Sequence, residues 1–418
     1  MKLEPFIGRG LFVLVLLLLV NIVNFIDRQL PYILVNAIRA ELQLTDAQFG
    51  LMAGLPFALV FSFCSLVLAR VADRVSARLV LAGSLAVWSI ATTLSGHAQN
   101  FGHLVAARIA VAAGEAGSTP AAHALIARLY PAHRRGLVHA VYALAVPIGS
   151  TLGLLLGGWV NDALGWRKAF IFVGLPGVLL AVVVWFGLRD TAAAAPAAPV
   201  APRGFVQAAR HLFRSRSYTH TVLACVLFGI AYFAMSIFSP AFMMRVHGQT
   251  AAQAGLALGI ASGIGGVVGI LGGGVMADLL GRRDARWRQL VPAIGVALCA
   301  PAALAAWLVP HTGAALVMLT AVHLLGLLCH APTWANVQLL APDDMRATAT
   351  AIVMFFITLV GASVGPLVIG WASDLLAPRF GALSIRYALC TIVVFMVWSA
   401  VHFHLAGRTM ARDVAAAR

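Results

Sequence analysis

Charged residues are scarce in this 418-residue sequence, where Asp, Glu, Lys and Arg together make up 10% of the chain. A soluble domain usually carries about 25% charged residues, which keep its surface in contact with water. Hydrophobic residues account for 61% of the chain, and the mean hydropathy is +0.93. Because so little charge cannot cover a water-exposed surface, the composition excludes a soluble globular protein and indicates a protein embedded in a membrane.

Sequence motifs for catalysis and cofactor binding are also absent. The five cysteines all fall in apolar runs and have neither metal-binding nor redox spacing. The sequence contains no phosphate-binding loop, no zinc-ligand spacing and no catalytic triad. We therefore expect neither an enzyme nor a protein driven by nucleotide hydrolysis, and we expect no cofactor and no metal site.

Long apolar runs recur along the whole chain, and each is long enough to cross about 30 Å of hydrocarbon as a helix. They predict an all-α membrane protein with twelve transmembrane helices. The predicted spans cover residues 10–36, 48–69, 79–96, 101–129, 136–160, 168–188, 218–245, 251–277, 290–309, 313–340, 347–375 and 385–406.

The basic residues are unevenly distributed between the two sides of the predicted membrane. Of the 29 Lys and Arg, 21 lie in the segments on the side of both termini, six lie on the other side and two lie inside spans. Basic segments are retained in the cytoplasm, so this pattern predicts a multi-pass protein with both termini cytoplasmic. The net charge of +15 therefore reflects orientation and not nucleic-acid binding. The many Arg and Ala residues are typical of a bacterial protein. We therefore expect the chain to lie in a bacterial inner membrane.

The sequence contains an internal repeat. Residues 130–135 are echoed by 341–346, and residues 158–162 by 370–374, at offsets of 211 and 212 residues. An offset close to half the chain length predicts a duplicated six-helix unit. We assign residues 1–189 to the N-terminal half, 190–217 to a cytoplasmic linker and 218–418 to the C-terminal half.

The predicted linker has two parts. Residues 191–202 are an Ala/Pro stretch too broken to span a membrane. Residues 205–217 interleave Arg210, Arg214 and Arg216 with apolar residues. This pattern fits a basic amphipathic helix lying on a leaflet that contains anionic lipid, and it fits an ordinary basic loop equally well.

A short loop motif occurs in both halves. Residues 274–283 read Gly-Val-Met-Ala-Asp-Leu-Leu-Gly-Arg-Arg, and residues 69–78 form a degenerate copy in which Ala and Ser replace the glycines. The motif resembles the loop signature of the major facilitator superfamily. A basic loop with one carboxylate can pair with helix ends and so latch one arrangement of the two halves, whereas simple retention of positive charge is the plainer interpretation. The latch candidates are Asp73, Arg74, Arg78, Asp278, Arg282 and Arg283.

A finer resemblance comes from the first half. Residues 24–28 read Asn-Phe-Ile-Asp-Arg, and residues 114–122 read Gly-Glu-Ala-Gly-Ser-Thr-Pro-Ala-Ala. Together with Leu-Tyr-Pro at 129–131 and Gly-Trp-Arg-Lys-Ala-Phe at 165–170, these motifs are similar to bacterial members of the Spinster family. The resemblance is strong over about residues 20–190, and the second half matches at superfamily level only.

The Spinster resemblance implies a secondary transporter for lysophospholipids or sphingoid phosphates, in several relatives with proton coupling. A neighbouring family, the symporters of hexuronates and related organic anions, also carries an Asp-Arg pair on helix 1 and an Arg and a Glu on helix 4. The Gly-Glu-Ala-Gly sequence at 114–117 favours Spinster over the usual Glu-Gly-Gly of the anion family. A proton-coupled organic-anion symporter is therefore the alternative, and a receptor or scaffold that has lost transport is a second one. A monomer is usual for this superfamily.

Four charged residues, Asp27, Arg28, Arg108 and Glu115, lie inside predicted spans. Each costs at least a few kcal/mol in mid-membrane unless it is paired or hydrated, so each is a candidate functional residue. Arg108 and Glu115 are two helical turns apart, about 10 Å along the axis, which favours a partner on helix 1 for one of them. Pairing helix 1 with helix 4 would satisfy all four charges.

Proton coupling requires a carboxylate that exchanges a proton as its surroundings change. We assign proton transport to Asp27 and Glu115, with Arg28 and Arg108 as switching partners or contacts for a substrate anion. The alternative is a permanent ion-pair lock, which gains little over apolar packing. His123 follows Glu115 by eight residues and is a possible proton relay, although a lone helical histidine is more often a packing residue.

The second half lacks corresponding charges: at the repeat offset, Leu319 and Gly326 stand where the first half has Arg108 and Glu115. Aromatic residues are available there instead, either for an acyl chain or, more commonly, for helix packing. The candidate apolar substrate contacts are Tyr232, Phe233, Phe238 and Trp334. The expected partners are an amphipathic lipid or organic anion, protons and membrane lipids.

Overall fold

The computed structural model describes residues 4–188, 205–342 and 345–417, and nearly all of them are helical. No strand occurs among these residues. All twelve predicted spans coincide with helices, which confirms the predicted all-α fold. The Ala/Pro stretch 191–202 of the predicted linker lies outside the described residues.

Within residues 4–188 the structure contains ten helices. They are α1 (Glu4–Ile33), α2 (Val35–Leu42), α3 (Asp46–Ala53), α4 (Leu55–Arg74), α5 (Ala77–Ser95), α6 (Phe101–Glu115), α7 (Ser118–Leu129), α8 (Ala132–Ala143), α9 (Ala145–Leu164) and α10 (Trp166–Gly187).

Within residues 205–342 and 345–417 the structure contains a further ten α-helices. They are α11 (Phe205–Leu212), α12 (Arg216–His247), α13 (Ala251–Gly281), α14 (Trp287–Leu308), α15 (Thr312–Leu327), α16 (His330–Leu339), α17 (Arg346–Phe356), α18 (Ala362–Phe380), α19 (Ser384–Cys390) and α20 (Val393–Ala417). A π-helical turn, Ile357–Gly361, joins α17 to α18, and a 3₁₀ turn, Gly381–Leu383, joins α18 to α19.

Ten helical stretches within the described residues are long and apolar enough to cross a membrane. The last stretch, Arg346–Ala417, contains two of the predicted spans. The predicted span 101–129 is not one of the ten; it is divided into α6 and α7 at Ala116–Gly117 and carries the charges of Arg108 and Glu115.

The helices group into two compact units. The first unit comprises residues 1–198 with 249–259, and the second comprises residues 199–248 with 260–418. The N-terminal end of α13 therefore packs with the first unit. The core of the first unit contains the fully buried Trp88, and that of the second contains Trp307, Tyr218 and Phe403.

Close contact between α1 and α9 depends on glycine. A Cβ atom added at Gly149 would lie 2.6 Å from the backbone oxygen of Ile22, and one at Gly153 would lie 2.8 Å from that of Ile26. Such distances are shorter than van der Waals contact with atoms that cannot rotate away. Small residues let membrane helices approach at this separation, which explains part of the glycine content of the chain.

Glu41, which lies between the first two predicted spans, joins α2 to the start of α10. Its carboxylate accepts hydrogen bonds from Trp166 Nε1 at 2.6 Å and from Arg167 Nε at 2.9 Å. Arg167 Nη1 also donates to the backbone oxygens of Gly96 and Ala98, at 3.1 and 2.6 Å. The hydrogen bond from Trp166, followed by that from Arg167, lowers the pKa of Glu41 below its usual value. Glu41 thus fastens α2 to the start of α10, and Arg167 fastens the α5–α6 loop to the same point.

We predict that Gly149→Ala lowers the unfolding temperature of the purified protein, because the new methyl group must push α9 away from α1. The expected cost is about 1–3 kcal/mol, as for other overpacked sites. Gly83→Ala, inside α5 with nothing within 4 Å of its Cβ position, is the matched control. It should leave stability unchanged or raise it by up to about 1 kcal/mol, because alanine favours helix. Equal effects of the two variants would contradict the proposed close contact.

We also predict that Glu41 contributes to the pH dependence of stability. Because the folded-state pKa is lowered, the contribution is present above the unfolded pKa and is lost as the pH falls through the folded pKa. Since Glu41 is largely exposed, the effect should be at most about 1 kcal/mol. Unfolding temperatures measured from about pH 7 to about pH 3 should fall less steeply for Glu41→Gln than for the unaltered protein. Parallel curves for the two proteins would show that Glu41 does not contribute.

Candidate functional site

The four charged residues singled out in the sequence lie on α1 and α6 of the first unit. Asp27 and Glu115 are each 1% exposed and Arg108 is 4% exposed, whereas Arg28 is half-buried. Charges at such depth in a membrane bundle need partners, because the hydrocarbon offers none. Their contacts therefore decide what the site can do.

Arg28 and Glu115 form a short ion pair. Arg28 Nε donates to Glu115 Oε2 at 2.6 Å, and the Glu115 side chain is fully buried while that of Arg28 is 26% exposed. Glu115 is the last residue of α6, immediately before the break at Ala116–Gly117. The contact joins α1 and α6, which are the first predicted span and the start of the fourth, and the sequence spacing favoured such a contact. The exposed part of Arg28 leaves the pair accessible from one side.

Asp27 and Arg108 are buried with polar atoms left over. Asp27 lies close enough to Glu115 and Arg108 for its carboxyl group to interact electrostatically with both. Within the described part of the chain, neither carboxyl oxygen of Asp27 has a hydrogen-bond partner, and neither do Nε and Nη2 of Arg108. We expected contacts between the first and fourth predicted spans to pair all four charges. Among the described residues, only Arg28 and Glu115 form such an ion pair. The site retains free capacity for a proton on a carboxylate and for an anion on a guanidinium.

Aromatic rings from α1 and α4 surround the two guanidinium groups. The ring centroids of Phe25, Phe57 and Phe61 lie 5.3, 5.6 and 4.9 Å from the central carbon of Arg28. Phe57 also lies 4.8 Å from the central carbon of Arg108. A cation over an aromatic face gains about 0.5–2 kcal/mol, most of it where water is excluded. The rings therefore stabilise the arginines while adding an apolar wall to the charged site.

Helix α5 supplies the polar neighbours of Asp27. The side chains of Trp88 and Thr92, which are both buried, approach its carboxyl group. A Cβ added at Gly114 would lie 2.6 Å from the backbone nitrogen of Trp88, so glycine at this position brings α5 against α6 next to Glu115. Trp88 thus lies beside both carboxylates.

The structure places His123 beside other polar aromatic groups. Its ring centroid lies 4.8 Å from that of His139 and 5.8 Å from that of Tyr142. It lies on α7, beyond the helix break that follows Glu115. The backbone oxygen of Tyr142 accepts a hydrogen bond from Asn21 of α1 at 3.2 Å, so this cluster also touches α1.

The latch candidates are separate from this site. Arg78 Nη1 donates to the backbone oxygen of Leu188 at 3.3 Å and lies over the ring of Trp185, at the end of α10. Asp278, Arg282 and Arg283 are exposed at the end of α13 and form no ion pair among the described residues. The side chains of Asp73 and Arg74, at the end of α4, lie outside the described part of the structure.

The candidate apolar contacts lie in the second unit. Tyr232 and Phe233 on α12 are partly exposed, with ring centroids 5.9 Å apart. Phe238 is fully buried and so offers no accessible surface in this conformation. Trp334 Nε1 donates to His330 Nε2 at 3.4 Å on α16.

Four side chains of the site were not identified from the sequence: Phe57, Phe61, Trp88 and Thr92. The spacing of Phe57 and Phe61, four residues apart on one helix face, is the only sequence signal that could have suggested a shared role. Trp88 and Thr92 are indistinguishable from other residues of an apolar span.

Comparison with known proteins supports the family resemblance that the sequence motifs indicated. The sequence profile of the Major Facilitator Superfamily matches residues 17–366. An MFS-type efflux pump from Mycolicibacterium smegmatis is 37% identical over 401 residues, which cover 95% of this chain and 92% of the relative. Protein spinster homolog 1 from Mus musculus is 25% identical, over 92% of this chain and 79% of the relative.

A solved structure shares the fold over almost the whole chain. The crystal structure of a bacterial homolog of the human lysosomal transporter Spinster superposes with a TM-score of 0.87 and 25% identity, and the match covers 97% of this chain and 98% of that one. A sphingosine-1-phosphate transporter from Xenopus tropicalis is 25% identical over 90% of this chain and 78% of the relative. These matches confirm the family resemblance predicted from the motifs. The chain therefore belongs to the Major Facilitator Superfamily and is a membrane transporter of the Spinster type, not an enzyme.

Proposed function

We propose that the protein is a proton-coupled secondary transporter that moves a lysophospholipid or related amphipathic anion by alternating access. The observation that carries the proposal is the buried Arg28–Glu115 ion pair at 2.6 Å, with a second buried carboxylate and guanidinium beside it. Such a group of charges is costly in a membrane protein, and a permanent lock would gain little over apolar packing.

The ion pair provides a direct link between protons and anion binding. When Glu115 takes up a proton, its carboxylate becomes neutral and no longer holds the guanidinium of Arg28. Arg28, which is 26% exposed, is then free to bind a phosphate or carboxylate together with the unpaired atoms of Arg108. Loss of the proton re-forms the ion pair and displaces the anion. Asp27, with both carboxyl oxygens unpartnered among the described residues, is the second proton carrier in this scheme.

The aromatic wall fits an amphipathic substrate. Phe25, Phe57 and Phe61 lie directly against the charged groups, so an apolar chain attached to an anionic head would meet apolar surface at once. The sphingosine-1-phosphate transporter among the relatives also acts on an amphipathic phosphate by its name.

Export of amphipathic compounds is the second candidate function. It is favoured by the relative from Mycolicibacterium smegmatis, which is named an efflux pump and is 37% identical. In such an antiporter the coupling is competitive: the compound would bind while Glu115 and Asp27 are unprotonated, and proton uptake by these carboxylates would release it. For either function, the distribution of basic residues supports an inner-membrane protein with both termini cytoplasmic.

We predict that Glu115→Gln removes the pH dependence of lysophospholipid binding. In the unaltered protein, binding should strengthen as the pH falls from about 8 to about 5, by up to about tenfold per pH unit for one coupled proton. The amide imitates a protonated Glu115, so the variant should bind equally well across this range. A hexuronate measured in parallel distinguishes an amphipathic substrate from a small organic acid.

Glu41→Gln is the matched control, because it makes the same chemical change at an exposed carboxylate outside the site. It should retain the pH dependence of the unaltered protein. Unchanged pH dependence in Glu115→Gln and in Asp27→Asn would remove both carboxylates from the coupling mechanism. Binding of the hexuronate alone would replace the lysolipid assignment.

We predict that Phe57→Leu weakens binding of the lysophospholipid about 2- to 30-fold, because Phe57 is the ring that lies against both Arg28 and Arg108. Phe63→Leu is the control: Phe63 lies on the same helix but is 58% exposed. Titration of each purified variant with the lipid measures the difference. Equal affinities of the two variants would show that the aromatic wall does not contribute to the site.

A further inference from the structure

The segment that leads into the second unit carries a concentration of positive charge. Residues 189–217 contain five arginines and a single acidic residue. Three of the arginines, Arg210, Arg214 and Arg216, lie within seven residues and are exposed. None of the three forms an ion pair or a side-chain hydrogen bond within the described ranges 4–188, 205–342 and 345–417.

Packing fixes this segment on the protein. Ala208 and Leu212 of α11 are 2% and 1% exposed, and α11 contacts α17. The Phe213 ring lies 5.6 Å from that of Tyr218 and 6.4 Å from that of Phe356. The side of α11 that carries Ala208 and Leu212 therefore packs against the protein, whereas Arg210, Arg214 and Arg216 are exposed.

Asp413, an acidic residue that contacts this segment, already has other hydrogen-bond partners. Asp413 of α20 accepts hydrogen bonds from the backbone nitrogen of Ser217 at 2.8 Å, from Ser215 Oγ at 3.0 Å and from Arg412. It caps the start of α12, and among the described residues it forms no ion pair with any of the three arginines.

The position of the segment relative to the membrane follows from the chain itself. Arg216 is the first residue of a helix able to cross a membrane, and α11 ends four residues earlier. Four residues reach at most about 14 Å, so the arginines lie at the membrane end of α12, where phospholipid headgroups are found. Anionic headgroups attract basic residues there, by about 1 kcal/mol for each Arg.

We propose that Arg210, Arg214 and Arg216 form a binding site for the headgroups of anionic phospholipids. Binding is electrostatic. An interfacial amphipathic helix inserts its apolar side into the lipid, but α11 uses that side to pack against the protein. The bound headgroups would hold α11 and the start of α12 at the membrane surface, independently of the transported substrate.

The test measures binding of fluorescent phosphatidylglycerol and of its phosphatidylcholine analogue to the purified full-length protein in detergent. The protein should prefer phosphatidylglycerol, and the preference should weaken as salt is added, because exposed charges are screened. The triple variant Arg210→Gln, Arg214→Gln, Arg216→Gln should bind phosphatidylglycerol more weakly by about fivefold per arginine, which corresponds to about 1 kcal/mol each.

The control is Arg282→Gln, Arg283→Gln, Arg286→Gln, which removes the same number of exposed charges elsewhere in the second unit. It should retain the preference for phosphatidylglycerol. Equal losses in the two triple variants would show a general effect of charge and overturn the proposed site. Retained binding in the first variant, or binding of RNA in place of phosphatidylglycerol, would also overturn it.

Discussion

The ion pair between Arg28 and Glu115 is the interaction on which the rest of the first unit depends. Two full charges at 2.6 Å in a membrane bundle are stable only where their surroundings exclude alternatives and hold both side chains in place. Gly114 lets α5 approach α6 at Trp88, beside Glu115, and the rings of α1 and α4 cover Arg28. The helix break after Glu115 and the close approach of α5 to α6 thus both lie next to one salt bridge.

The second unit has no counterpart of these charges at the aligned positions. The repeat offset places Leu319 and Gly326 opposite Arg108 and Glu115, and in the structure Leu319 is fully buried. A Cβ at Gly326 would meet the Phe228 ring at 3.0 Å, so close packing occupies the position where the first unit holds a carboxylate. At the positions that the repeat offset aligns with Arg108 and Glu115, the second unit therefore has apolar packing in place of charge.

The sequence predicted the fold and the charged residues well, for identifiable reasons. Membrane spans follow from hydropathy, and buried charges are conspicuous in an apolar chain. The spacing of Arg108 and Glu115 favoured a partner on helix 1, and Arg28 is that partner for Glu115. The spacing could not show that, among the described residues, both carboxyl oxygens of Asp27 and two guanidinium nitrogens of Arg108 would lack hydrogen-bond partners, because this depends on side-chain directions.

Sequence patterns could not identify the residues that only tertiary packing brings to the site. Phe57 and Trp88 lie on other helices than the four charged residues, and only the tertiary contacts bring them to the site. Similarly, the basic pattern of α11 was compatible with a helix on the lipid surface or with a loop. The burial of Ala208 and Leu212 shows which side of α11 faces the protein.

The central claim is that a proton on Glu115 frees Arg28 to bind an anion. It is tested most directly by recording the pH of a weakly buffered solution of the purified protein as a lysophospholipid is added. The account predicts that the protein takes up a proton as the lipid binds, so that the solution becomes more alkaline, and that Glu115→Gln binds the lipid without this change. Lipid binding by the unaltered protein with no proton uptake, or with proton release, would contradict it.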